Sequence, residues 1–166
     1  MRLGHPCRRN FAWAPPSART TRTIGRGSLQ KHIFVKDFID KLRLLETEIS
    51  QKNGDFSFFA LFLREDAQNK WDLVASAPWF WTDKKKTLDY LAKKLRSRLT
   101  SDELLTLSRI VLIEESDPML RGVQQAFQVH HTPIEVQDCN LFGLQIQRAY
   151  IFTSRRNGSD SNQIST

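Results

Sequence analysis

The stretch Asp55-Phe56-Ser57-Phe58-Phe59-Ala60-Leu61-Phe62-Leu63-Arg64, followed after a polar break by Trp71-Asp72-Leu73-Val74-Ala75-Ser76-Ala77, decides the fold. The first segment is apolar on both alternating faces, which is the pattern of an interior strand covered on both sides. In the second, Trp71, Leu73, Ala75 and Ala77 share one face. The connection Glu65 to Lys70 is too short for a crossover, so the two segments predict an antiparallel hairpin.

Upstream, Val35, Phe38, Ile39, Leu42, Leu45 and Ile49 recur at helical spacing, and Asn53-Gly54 supplies a stop, predicting a helix over about 31–52. Downstream, Pro78 ends the hairpin and Trp79-Phe80-Trp81 follows. Thr82 or Asp83 caps a helix over about 83–99 with Leu88, Leu91, Ala92, Leu95 and Leu99 on its apolar face. Thr100-Ser101-Asp102-Glu103 fits a capping box for a short helix over 101–106. Ile110 to Ile113 centre a strand over 109–115, and Asp117-Pro118 opens a helix presenting Leu120, Val123 and Phe127. The remainder reads as a second hairpin, 133–138 and 143–153. There Leu144, Ile146, Tyr150 and Phe152 alternate with Gln145, Gln147 and Ile151. The order α-β-β-α-β-α-β-β predicts an α/β domain: one mixed five-stranded sheet with helices packed on it and parallel middle strands.

The 166 residues match one domain, with 31–154 as the globular body. The net charge of +7 belongs to the ends. Residues 1–30 hold six arginines and no acid, whereas residues 31–154 hold 17 basic and 17 acidic side chains. With Pro6, Pro15, Pro16 and three glycines, residues 1–30 read as a disordered basic tail, and residues 155–166 as a second tail. The leader has the composition of a transit peptide, of an arm touching nucleic acid or lipid, or of sequence upstream of a natural start near Leu29. No apolar run approaches the roughly 20 residues of a membrane helix. Cys7 and Cys139 imply no disulfide framework, and the cytoplasm is the default compartment.

No motif names an activity. Phosphate-binding glycine patterns are missing. Ser76 lacks a nucleophile elbow, and Cys139 has no base nearby in sequence. His5, His32, His130 and His131 show no metal-ligand spacing, and adjacent histidines in a strand would point to opposite sides, so neither metal nor cofactor is expected. The helix over 83–99 carries Lys84, Lys85, Lys86, Lys93, Lys94, Arg96 and Arg98 against two acids. It could follow a phosphate backbone while Trp79 and Trp81 stack on bases; the plainer reading is a solvated outer face. Topology supplies the most site-like group. Parallel strands would bring Trp79 and Trp81 to the same sheet edge as Glu114, Glu115 and Asp117, where ligands of open α/β sheets bind. The plain reading there makes Asp117 a helix cap and the tryptophans a lid on the core.

The sequence therefore leads to a non-enzymatic interaction or regulatory module whose partner is another protein. A nucleic-acid-associated protein using the tail or the basic helix is the second reading. A metal-dependent enzyme with acids at the strand ends is the third.

Overall fold

The computed structural model describes residues 8–10 and 26–156. The elements in chain order are β1 (Arg8–Asn10), α1 (Arg26–Asn53), β2 (Phe58–Arg64), β3 (Trp71–Ser76), a 3₁₀ turn (Pro78–Thr82), α2 (Lys84–Arg98), α3 (Ser101–Thr106), β4 (Leu107–Leu112), α4 (Pro118–Ala126), β5 (Ile134–Leu141) and β6 (Leu144–Ser154). The five expected strands form one mixed sheet in the order β5-β6-β2-β3-β4. Only β3 and β4 run parallel; the other pairs are antiparallel. The short β1 adds a further antiparallel strand beside β5. The expected tails lie mostly outside the described residues. Within them, β1 falls in the N-terminal segment, and α1 begins at Arg26, ahead of the anticipated start.

The alternation of β2 sorts its side chains to two cores. Phe59 and Leu61 join Phe38, Ile39, Leu42, Leu45 and Ile49 of α1, with Leu91 and Leu95 of α2. Phe58, Ala60 and Phe62 face the other way, onto Leu120 and Val123 of α4 and the neighbouring Phe127. Each fully buried phenylalanine contributes about 2–3 kcal/mol relative to exposure. Phe56, Phe58, Phe59, Phe62, Phe80 and Phe152 anchor both layers in this way. Trp71, Leu73, Ala75 and Ala77 share the α1 side, as their spacing predicts.

Simple alternation fails within β6 and after the end of β3. In β6, Leu144, Ile146, Ala149 and Ile151 belong to the α4-side core, whereas Tyr150 and Phe152 belong to the α1-side core. The expected alternation of Leu144, Ile146, Tyr150 and Phe152 is thus broken at a register shift in the β2–β6 pairing, where Leu63 pairs with Arg148 and Arg64 with Ile146, leaving Gln147 as an extra residue. At a second shift Phe59 pairs with Thr153 and Ala60 with Ile151, leaving Phe152 as an extra residue. Such a bulge re-aims the side chains after it. Here it turns Thr153 toward α1. The other departure is Trp79-Phe80-Trp81, which forms a 3₁₀ turn.

Candidate functional site

The C-terminal ends of β3, β4 and β6 meet at one edge of the sheet, because β2 is antiparallel to both β3 and β6 and β4 is parallel to β3. The anticipated tryptophans and acids all follow strands at this edge. Trp79 and Trp81 are both half-buried against the α1-side core. The Trp79 indole Nε1 donates to the Gly54 carbonyl at 3.0 Å, and its ring meets Phe80 and Phe56 edge-on at 4.7 and 5.7 Å. Trp81 lies under Lys84, whose Nζ is 5.7 Å from the ring centroid. The Asp117 carboxylate accepts from the Met119 N–H at 2.8 Å and caps α4. Glu114 is exposed and Glu115 half-buried. Trp79 thus engages the end of α1, while Asp117 engages its own helix.

The basic face of α2 is partly neutralised. Lys94 Nζ and the Arg98 guanidinium both bind Glu48 of α1, Lys94 at 2.8 Å. The hydrogen bond from Lys94 and the charge of Arg98 outweigh desolvation and pull the Glu48 carboxyl down to about 2. Lys86 pairs with Asp83 at 3.5 Å. Lys84, Lys85, Lys93 and Arg96 remain exposed to solvent.

A denser constellation stands at the same edge, over β2 and β6. Glu46 lies one turn after Leu42 on the buried face of α1, and its side chain is 0% exposed. An uncompensated carboxylate there would be very costly, so its partners define it. Thr153 Oγ1 and Ser50 Oγ donate to Oε1 at 2.9 and 3.2 Å, and His131 Nδ1 lies 2.7 Å from Oε2. The His131 backbone N–H donates to Thr153 Oγ1 at 3.3 Å, so the bulge in β6 serves both ends of this network. A proton on Nδ1 facing the carboxylate would leave Nε2 of a neutral imidazole as the ligating lone pair.

His131 has a φ of 54°, in the left-handed region. The kink brings the rings of His130 and His131 to one side, with centroids 3.9 Å apart. Asp55, leading from Gly54 into β2, joins them. One potential ligand atom from each of Asp55, His130 and His131 lies within 4.8 Å of the others. The sequence spacing pointed to no metal ligands at all, and these three escaped it. The Arg155 guanidinium sits alongside, bonded to Asp55 Oδ2 and, through Nη1 at 3.2 Å, to His130 Nε2. Desolvation, then the His131 and Arg155 charges, hold His130 below the ordinary histidine range.

The donor set fits a metal. Two imidazoles and a carboxylate suit borderline ions such as Zn²⁺, Co²⁺, Ni²⁺ or Fe²⁺ over Mg²⁺ or Ca²⁺. A buried carboxylate behind a ligating histidine is the usual support for such a site. Among the described residues no helix is long and apolar enough to cross a membrane. No family model matches the chain, and no curated protein or solved structure shows significant similarity to it.

Proposed function

We propose that this domain binds a divalent transition-metal ion through Asp55, His130 and His131, and that it works as a metal-responsive regulatory or interaction module. The convergence of three ligand atoms, one of them oriented by the buried Glu46, carries the reading. Three protein ligands leave a coordination position open for water or an external group. The ligands come from separate parts of the chain, the lead-in to β2 and the loop before β5, so an ion there would fasten the two together.

Titration of the full chain with Co²⁺, followed by the ligand-field absorption of the ion, tests this. Saturable binding that is lost in His130→Ala is expected. His130 is exposed, so the substitution should leave the fold intact. Because His5 and Cys7 also offer soft ligands, binding that persists unchanged in His130→Ala would place the ion elsewhere and end the proposal.

A further inference from the structure

We infer that the site takes its metal together with a tetrahedral oxyanion (sulfate, phosphate or a phosphate monoester) and that Arg155 couples the two. The inference rests on the metal reading above. Arg155 presently occupies Oδ2 of Asp55 and Nε2 of His130, atoms of two of the three candidate ligands. A metal ion taking those atoms would displace the arginine side chain.

The backbone of Arg155 would stay in place. Its N–H donates to the Ser57 carbonyl at 2.9 Å, and its carbonyl accepts from Gln124 Nε2 at 2.9 Å. The freed side chain therefore remains beside the site. Adjoining it is a cavity of about 400 Å³ lined by Gln124, Gln128, His130, Ser154, Arg155 and Arg156. The Arg155 Nε–H is buried and, among the described residues, has no acceptor. Together with the displaced Nη groups it forms the fork that receives two oxygens of a phosphate or sulfate.

Charge points the same way: Arg155 and Arg156 both line this cavity, and a divalent ion beside them would add positive charge that a dianion would offset.

Co²⁺ affinity of the full chain, measured with sodium sulfate or with sodium chloride at equal ionic strength, tests the coupling. Sulfate should tighten Co²⁺ binding by about tenfold, within the usual range for coupled sites. In Arg155→Gln, Co²⁺ should bind at least as tightly as in the parent without sulfate, because the competing cation is gone, and the sulfate effect should vanish. Thermal melts would establish that the variant is folded, and Arg155→Lys, which keeps the charge without the fork, should retain only part of the effect. Phenyl phosphate in place of sulfate separates the ligand sources: a larger effect indicates a monoester, an equal one a free oxyanion. Co²⁺ binding that ignores sulfate, or a sulfate effect undiminished in Arg155→Gln, overturns the coupling and leaves the metal reading standing. Failure of both chains to bind Co²⁺ removes both.

Discussion

Replacing Glu46 by glutamine changes one atom in the most enclosed polar network of the domain. The amide oxygen can keep the place of Oε1 and accept from Thr153 and Ser50, while the amide NH₂ takes the place of Oε2 opposite His131 Nδ1. Facing a donor, His131 must turn Nδ1 into the acceptor and move its proton to Nε2, the nitrogen directed away from Glu46. The hydrogen bonds with Thr153, Ser50 and His131 are unchanged in number. One charged acceptor becomes a neutral one, so the loss of stability should be about 1 kcal/mol. Metal affinity should fall far more, by about 10–100-fold, which is the usual penalty for disturbing the group behind a ligand. That equals about 1.4–2.8 kcal/mol of binding free energy. Glu46→Ala, by contrast, strands several buried donors and should cost about 3–5 kcal/mol of stability. Denaturant melts of both variants, long-range ¹H–¹⁵N spectra of the imidazoles and Co²⁺ titrations supply the three readouts. If Glu46→Gln keeps the parental His131 tautomer and binds Co²⁺ as tightly as the parent, the carboxylate does not orient the ligand and the reasoning is refuted.

Two further outcomes concern stability alone. Asp117→Ala removes the cap that accepts from Met119 N–H and should lower stability by about 1 kcal/mol in denaturant melts, with Co²⁺ binding unaffected. Glu103 is buried, and burial pushes its carboxyl up. The Lys41 ammonium at 2.8 Å and the Thr100 N–H at 2.7 Å outweigh that and hold it below the 4.5 of a free glutamate. A depressed folded value means stability that is present above about pH 4.5 and lost as pH falls through the folded value. Glu103→Gln should therefore be less stable than the parent at neutral pH, with the gap closing on acidification; a gap that widens in acid would contradict the assignment.

The sheet and its helices were legible because their signals are local. Phe38, Ile39, Leu42, Leu45 and Ile49 mark the buried stripe of α1, and Gly54, at a φ of 101°, ends it where a left-handed residue is needed. Thr100 and Glu103 form the anticipated capping box, and Asp117 caps α4. The parallel pairing of β3 and β4 followed from the helices between them. The histidine cluster was not legible, for three physical reasons. The rule that neighbours point apart holds for extended backbone, and His131 is not extended. The bulge that aims Thr153 at α1 depends on pairing with β2 and leaves no mark in the β6 sequence. Asp55 looks like an ordinary residue at a strand entrance. One signal was available. Glu46 occupies a core position of the α1 stripe, one turn from Leu42 and three residues before Ile49, and an acid in such a place needs buried partners.

The network around Glu46 also carries a kinetic consequence. Its contacts span 85 residues to His131 and 107 to Thr153, and Asp55 meets Arg155 across 100. None of these pairs can form from local collapse, since each closes a loop nearly as long as the domain body. The β2–β3 hairpin and the helices can assemble early, and Ser50 can donate to Glu46 within α1, but Thr153 reaches Glu46 only once β6 has docked against β2. During synthesis the carboxylate must therefore wait, solvated, until Thr153 has left the ribosome. Until then α1 has every reason to stay loosely seated, since burying Glu46 without its donors is unfavourable. The last strand thus acts as the latch for the first helix, and the arrangement of Asp55, His130 and His131 proposed to bind a metal is complete only after that strand has docked.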